Sequence, residues 1–285
     1  MTDEAIAAQV RQVALDVARC PEVPLARHQP AHPCHKIVNL QSEDPTNWQV
    51  PEGWAGNLPS GKILFLSSNP SISEAGQYDN PFHAENYPRG SWDDDGIANF
   101  AIRRFGDGDE YPATIDGRLR RLDGQMSVKK VRFWVCVRAR AAELIPSARP
   151  DRHYAMTEVV HCKSREEVGV AEAVPRCVRT HLDAIVALSP APLVVVLGAK
   201  ARDRIAGLWD LPNGFGTRDA IGQERRNLAI RTVGGTERLI AYLWHPTGMT
   251  APKTFGGAYP DHLSLLSDLV TDCISVEDAV RILQD

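Results

Sequence analysis

The chain has neither a long hydrophobic run nor a charge excess of one sign. No stretch approaches the roughly 18 uninterrupted apolar residues that a membrane helix needs, so we expect no membrane partner. Its 32 lysines and arginines against 36 aspartates and glutamates give a formal net charge of -4. This balance excludes the strongly basic overall field of many small DNA-binding modules, so any contact with nucleic acid must use a local patch. Candidate patches are residues 103–104, 118–121 and 129–132, each rich in Arg or Lys.

Glycine, proline and cysteine are also modest in number. The 21 glycines and 20 prolines among 285 residues exclude a collagen-like or disordered chain. Residues 1–20 predict an amphipathic helix with an acidic start and lack the pattern of a secretion signal, which predicts a cytoplasmic protein. In that compartment, six cysteines indicate reduced thiols or a metal site more than a disulfide framework.

Apolar runs bounded by turn residues predict four buried strands. They span residues 62–66, 156–160, 193–197 and 239–244. Helical patterns lie between them, at residues 171–188 and 199–208. The alternation predicts an α/β fold, specifically a three-layer α/β/α sandwich around a mostly parallel four-stranded sheet.

The segments outside these runs predict a single domain over residues 1–285. The Pro-, His- and Asn-rich composition of residues 21–60 predicts an extended loop after the amino-terminal helix. The core then spans residues 61–266, with a long insertion after its first strand that holds a helix over residues 96–105. Two amphipathic helices are predicted over residues 261–285, and the segment 267–285 is the carboxyl-terminal helix.

Polar residues follow the predicted strands at their carboxyl ends, where open α/β sheets bind ligands. A strand followed by a polar turn with Asn before Pro occupies residues 64–71, and a strand followed by His-Pro-Thr occupies residues 244–247. In this order the two motifs resemble those of the uracil-DNA glycosylase superfamily, from about residue 20 to about residue 266. The stretch that begins at residues 157–162 is similar to the iron-sulfur branch, whereas Asn69 resembles the mismatch-specific branch.

The resemblance implies a monomeric, monofunctional DNA glycosylase that flips a base out of DNA and hydrolyses its N-glycosidic bond. An amide cannot deprotonate water at neutral pH, so Asn69 would orient the water while His245 donates to the departing base. Ser68 and Phe82 would contact and stack the base, with Tyr78 as a substitute for Phe82. The alternatives are an ordinary Asn-Pro turn at Asn69 and a histidine at 245 that only ends a strand.

The loop after His245 would hold the DNA. By the same resemblance, Thr247 grips a phosphate, Lys200 contacts the backbone and Met249 inserts an apolar wedge into the gap left by the base. A small-nucleoside hydrolase and a DNA binder without turnover are alternatives that need different tests.

Glu158 departs from the resembling families, which place Asn here to bind the uracil edge. A carboxylate only accepts hydrogen bonds, so it suits the N4 amino group of cytosine and opposes the uracil O4. This predicts a modified cytosine as substrate, such as the glucosylated hydroxymethylcytosine of phage DNA, and a role in antiviral defence. Conventional uracil removal in DNA repair is the alternative, with Glu158 protonated or on the surface.

The resemblance also implies that Cys20, Cys34, Cys162 and Cys177 hold a [4Fe-4S] cluster. Fourteen residues separate the last two, close to the spacing in the iron-sulfur branch, whereas thirteen separate the first two, unlike the usual Cys-x-x-Cys. Zinc, with His28, His32 or His35 as further ligands, and free thiols without a metal are the alternatives. Cys136 and Cys273 are predicted to be core residues.

Overall fold

The structure is a computed structural model that describes residues 2–72 and 85–284. Its strands are β1 (Trp54–Gly56), β2 (Ile63–Ser67), β3 (Phe105–Gly106), β4 (Ala113–Thr114), β5 (Tyr154–Glu158), β6 (Leu193–Leu197), β7 (Leu228–Val233) and β8 (Thr236–Leu243). Six of them form one sheet in the order β1-β5-β2-β6-β8-β7, and β3 pairs with β4 in a small parallel ladder. β6 runs parallel to both β2 and β8, and β7 is antiparallel to β8, so the fold is α/β with a mostly parallel sheet.

The prediction of four strands is therefore wrong, because the sheet has six. The four predicted strands exist as β2, β5, β6 and β8, with the predicted bounds for β6 and shifted ends for the other three, while β1 and β7 were missed. β7 escapes detection because its central residues are only partly buried and it lies at the sheet edge. The Gly234-Gly235 turn that joins β7 to β8, with both residues at positive φ, is the signal that would have found this hairpin.

The described chain also contains eleven α-helices. They are α1 (Asp3–Ala18), α2 (Glu22–His28), α3 (His35–Val38), α4 (Asp94–Ile102), α5 (Arg132–Leu144), α6 (Val170–Cys177), α7 (Asp183–Leu188), α8 (Ala199–Ile205), α9 (Phe255–Ala258), α10 (Leu263–Val270) and α11 (Val276–Gln284). The predicted helices at the amino terminus, in residues 171–188 and at the carboxyl end are confirmed. A π-helical turn, Val178–Leu182, joins α6 to α7.

The prediction of an extended loop over residues 21–60 is wrong, because α2, α3 and β1 lie within it. The short lengths of these elements, seven, four and three residues, explain why periodicity did not reveal them. Cys273 was predicted to lie in the core, and it is exposed in the turn between α10 and α11. Within the described residues, no helix combines the length and the apolar content needed to span a bilayer.

The contacts divide the chain into two compact units with interleaved segments. The first unit contains Met1–Gly56, Asn69–Val131 and Glu158–Ile185, and the second contains Asn57–Ser68, Arg132–Thr157 and Val186–Asp285.

The core of the second unit is built on three parallel strands. Every residue of β2 and β6 is buried, as expected for strands covered on both faces, and six of the eight residues of β8 are buried. Arg238 of β8 is fully buried, and its guanidinium donates to the carbonyl oxygens of Val186, Ser189, Ala191 and Val233. This arginine satisfies backbone acceptors that burial would otherwise leave without partners.

In the first unit, α1 packs against α4. Val10, Ala14 and Val17 of α1 are buried, and their spacing of three to four residues places them on one helical face. Asp93 caps α4, because its carboxylate accepts a hydrogen bond from the Gly96 N–H at 2.7 Å.

Candidate functional site

Four cysteines of the first unit line one small cavity. Cys20, Cys34, Cys162 and Cys177 are each 6–7 % exposed, and all four line the same cavity. Cys20 follows α1, Cys34 precedes α3, Cys162 follows β5 and Cys177 ends α6. The four candidate metal ligands, which lie far apart in the sequence, therefore line one cavity.

Close packing between two of these segments depends on a glycine. Gly169 precedes α6 with φ of +73°, and a Cβ atom there would lie 2.5 Å from the backbone nitrogen of Ile37 in α3. The missing side chain lets the start of the Cys177 helix approach the helix that follows Cys34.

Glu22 contacts Arg176 of α6 through an ion pair and His32, before Cys34, through a hydrogen bond. One of its carboxylate oxygens lies 2.6 Å from the Arg176 guanidinium, and the other lies 2.9 Å from His32 Nε2. The Cys34 N–H donates to His32 Nδ1 at 3.1 Å, so Nδ1 is the acceptor and Nε2 carries the proton that it shares with Glu22. Both nitrogens of His32 are thus engaged.

The alternative histidine ligands gain no support from their positions. His28 is exposed, and His35 Nδ1 lies 2.7 Å from the Ala26 carbonyl oxygen. Neither these two residues nor His32 line the cavity that the four cysteines share.

Two histidines that the sequence did not single out do line this cavity. The rings of His161 and His181 are 5.9 Å apart at 80°, and among the described residues the Nε2 atom of neither has a hydrogen-bond partner. Burial lowers the pKa of His161 to about 3 and that of His181 to about 4, so both are neutral at pH 7. The position of His161 directly before Cys162 was the signal that could have found it.

Burial disfavours the thiolate forms of the four cavity cysteines. Burial raises the pKa of Cys34 to about 11, and it also raises the pKa of Cys20, Cys162 and Cys177 above the ordinary value. The other cysteines of the group raise the pKa of Cys162 and Cys177 further. A cationic group in the cavity would reverse this effect, because a metal stabilises the thiolates that bind it.

The candidate donor set consists of the four cavity thiols. In the part of the chain that the structure describes, no three side chains of His, Cys, Asp or Glu are arranged to hold a metal ion. A single zinc requires all its ligands within about 2.3 Å of one point, whereas the thiolates of an iron-sulfur cluster each bind a different iron. Four thiols are the number of protein ligands that either group takes.

The turn that contains Asn69 is held from one side by the residues after Cys162. Ser164 donates its N–H to the Pro70 carbonyl oxygen at 3.0 Å, and Lys163 Nζ donates to the Ser71 carbonyl oxygen at 3.3 Å. Asn69 itself is half-buried, and its Nδ2 donates to the Pro70 carbonyl oxygen at 2.9 Å. The segment that supplies a cavity cysteine therefore also fixes the backbone beside Asn69.

Lys163 belongs to a buried network of two cations and two carboxylates. Its ammonium is 3.2 Å from Glu52, which also pairs with Arg104, and Arg104 reaches Glu85 at 2.8 Å. Burial alone would raise the pKa of Glu52, but the neighbouring Arg104 and Lys163 lower it. Arg104 is 3 % exposed, so the prediction that residues 103–104 form a phosphate patch is wrong for Arg104.

Glu158 lies at the end of β5 and is 8 % exposed. The alternative that it is a surface carboxylate is therefore wrong. Tyr87 is buried near it: burial raises the pKa of Tyr87 first, and the charges of Glu52 and Glu158 raise it further. The Lys163 ammonium lies 3.5 Å from the centre of the Tyr87 ring, which provides a cation–π contact.

His245 follows β8 in the second unit, at the edge where parallel strands β2, β6 and β8 end. Gly198, directly after β6, has φ of +86°, and a Cβ atom there would lie 2.9 Å from the His245 Cβ. Phe133 of α5 stacks on the imidazole at 5.6 Å and 24°. Thr247 Oγ1 lies 3.1 Å from His245 Nδ1, so the hydroxyl contacts the imidazole.

The remaining predicted site residues lie in different surroundings. Ser68 is buried at 9 %, Lys200 is exposed at the start of α8, and the side chain of Met249 is 99 % exposed. The exposure of Met249 agrees with the predicted wedge without testing it. Phe82 and Tyr78 lie outside the described residues.

Comparison of the chain with models of known protein families found no match, and comparison with curated proteins found none either.

Proposed function

We propose that the protein is a monofunctional DNA glycosylase that removes a modified cytosine and leaves an abasic site. The observation that carries the proposal is the buried carboxylate of Glu158, in the same unit as the fixed Asn69 turn. The two strand-end motifs support it, and a three-layer α/β/α arrangement and a monomeric state belong to the same proposal. The activity would serve defence against phages with modified DNA.

Asn69 orients the attacking water in this proposal. Its Nδ2 is engaged by the Pro70 carbonyl oxygen, so its Oδ1 is the atom that accepts a hydrogen bond from water. An amide does not remove the proton, and charge separation between the sugar and the departing base drives the step. A slow, selective enzyme is the consequence.

His245 supplies the hydrogen bond to the departing base. If Thr247 donates its hydroxyl proton to Nδ1, the neutral imidazole carries its own proton on Nε2. That N–H can donate to the oxygen on which negative charge develops. Phe133 keeps the plane of the ring in place by stacking.

Glu158 selects the base. A buried carboxylate pairs with the N4 amino group of cytosine, whereas the uracil O4 would face it without a proton to share. Conventional uracil removal would require a protonated Glu158, which can donate to that oxygen.

The four cavity cysteines hold a [4Fe-4S] cluster in this proposal. When bound, the cluster supplies a rigid link between the segments that carry Cys20, Cys34, Cys162 and Cys177. Lys163 and Ser164 then hold the Asn69 turn through the Ser71 and Pro70 carbonyl oxygens.

The decisive experiment is base release from matched duplex and single-stranded DNA. The substrates carry uracil, thymine, cytosine, hydroxymethylcytosine or glucosylated hydroxymethylcytosine at one position. We expect release of the modified cytosines only, loss of release in Asn69→Ala, and a changed order of preference in Glu158→Asn. Glu237→Gln, an exposed carboxylate on β8, is the matched control.

Release of uracil alone would overturn the choice of base and return the protein to conventional repair. Binding to the DNA without any release would overturn the glycosylase proposal. An unchanged order of preference in Glu158→Asn would show that Glu158 does not select the base.

A further inference from the structure

A second cleft, of about 320 Å³, lies beside α4 in the first unit. Gly96, Asn99, Phe100 and Arg103 line it, and their spacing places them on one face of this helix and its end. Gly96 has no side chain, which leaves room beside Trp92. Tyr111 also lines the cleft.

Aromatic rings form much of the cleft wall. Trp92 and Phe100 meet edge to face at 6.3 Å, and Phe100 is held in turn by Tyr87 at 5.2 Å. Tyr111 carries the guanidinium of Arg103 over its ring at 5.7 Å. A partly exposed Trp and Tyr in one cleft provide surfaces on which a flat heteroaromatic ring stacks, since every nucleobase has a π-face.

Two arginines in the same cleft lack carboxylate partners. Arg103 is exposed, and it forms no ion pair with the described residues. Arg120 Nη1 donates to the Gly124 carbonyl oxygen at 2.6 Å, while its buried Nη2 has no hydrogen-bond partner in the described part of the chain. Guanidinium groups bind phosphate through paired N–H donors, so this pair is suited to a phosphate.

Other arginines of this unit are paired differently. Arg11 and Arg19 reach Asp95 and Asp94 at 2.6 and 3.1 Å, and Arg121 reaches Asp123 at 2.7 Å. The buried Nη2 of Arg120 has no such carboxylate, and a buried donor without a partner is costly unless a ligand or water satisfies it.

The cleft also carries one carboxylate. Glu110 accepts hydrogen bonds only, so it prefers a base with an exocyclic amino group, which adenine and cytosine have and thymine lacks. A ligand that combines a flat amino-bearing ring with a phosphate matches all of these groups.

We propose that this cleft binds a nucleoside monophosphate with an amino-bearing base, either free or as one unit of a DNA strand. Trp92 and Tyr111 stack the base, Arg103 and Arg120 bind the phosphate, and Glu110 selects the amino group. Glu158 does not line this cleft, and binding there does not depend on base excision.

Calorimetric titration of the full chain with deoxyadenosine monophosphate tests the site. We expect binding that weakens about tenfold or more in Arg103→Gln, because a charge-assisted contact to phosphate is lost. Deoxyadenosine, inorganic phosphate and thymidine monophosphate should each bind more weakly than the full ligand. Arg225→Gln, an exposed arginine of the second unit, is the control and should bind as the wild type does.

A second variant distinguishes the loss of a ligand contact from misfolding. Tyr111→Ala removes a partly exposed ring and should weaken deoxyadenosine monophosphate while leaving inorganic phosphate unchanged. Absence of deoxyadenosine monophosphate binding in the wild type would overturn the proposal. Wild-type affinity in both Arg103→Gln and Tyr111→Ala would also overturn it.

A single-stranded oligonucleotide identifies the source of the ligand. Binding much tighter than that of the mononucleotide, and sensitive to Arg103→Gln, indicates a DNA strand; equal affinity indicates a free nucleotide. Since the titration does not depend on base release, the cleft can be confirmed when the glycosylase proposal fails, and the reverse also holds.

Discussion

The buried ammonium of Lys163 donates a hydrogen bond to the carbonyl oxygen of Ser71, two residues after Asn69. Because Lys163 directly follows Cys162, this contact links the cysteine cavity to the Asn69 turn. No sequence motif singles out Lys163, but in the structure it holds the backbone beside Asn69 in place.

We therefore predict that Lys163→Met slows base release by about tenfold or more, because a small displacement of a positioned water is costly. The change leaves Glu52 with one cation fewer, so the matched variant Lys163→Met/Glu52→Gln removes one charge of each sign. Single-turnover kinetics measure the effect. If the double variant regains the wild-type rate constant, the charge balance matters and the contact with Ser71 does not.

Replacement of a cavity cysteine should remove the metal. We expect Cys34→Ser and Cys162→Ser to lose bound iron, acid-labile sulfide and visible absorbance, whereas the exposed Cys273→Ser keeps them. Metal analysis of anaerobically purified protein checks this. Iron-free wild-type protein with zinc would favour the alternative metal, and metal-free protein with full activity would contradict both.

Gly198→Ala should disturb His245. Alanine at positive φ costs about 1 kcal/mol of unfolding free energy, and here its Cβ would also lie 2.9 Å from the His245 Cβ. Gly222 has a similar φ of +76° with nothing within 4 Å, so Gly222→Ala carries the backbone cost without the contact. Denaturant unfolding and base-release rates should separate the two variants. Equal loss of activity in both would exclude an effect through His245.

The buried ion-pair network around Glu52 predicts that the stability of the protein falls at acidic pH. The pKa of Glu52 is lowered in the folded state because Arg104 and Lys163 outweigh the effect of burial. The contribution of the Glu52 carboxylate to the free energy of unfolding is therefore complete above its unfolded pKa of about 4.3. This contribution disappears as the pH falls through the pKa of Glu52 in the folded state. We expect the melting temperature of Glu52→Gln to fall less steeply than that of the wild type below about pH 5. Parallel curves would contradict the ion pairing.

The sequence predicts the sheet best where strands are uniformly apolar. β6 is five buried residues bounded by Pro192 and Gly198, and its bounds agree with the prediction. β7 lies at a partly exposed edge of the sheet, so its apolar residues follow neither the continuous nor the alternating pattern of a strand. The three residues of β1 are too few to show any hydrophobic periodicity. Short or half-exposed elements depend on neighbours that the local sequence does not reveal.

The residues of the candidate site were also predictable only in part. The four cysteines were grouped by the resemblance to the iron-sulfur branch, and they line one cavity in the structure. The partners of Lys163 could not be predicted, because Glu52 and Arg104 lie far away in the sequence and charged residues are usually solvated. Phe133 was missed for a related reason: its stacking on His245 joins a helix to a distant strand end.

The interleaving of the two units has a consequence for the order of synthesis on the ribosome. Cys20 and Cys34 leave the exit tunnel long before Cys162 and Cys177, while segments of the second unit are made in between. The cavity cannot close until α6 has been translated, and β8 follows later still. Such distant pairings slow folding and leave unpaired thiols accessible in the nascent chain, so delivery of any metal is a late event of biogenesis.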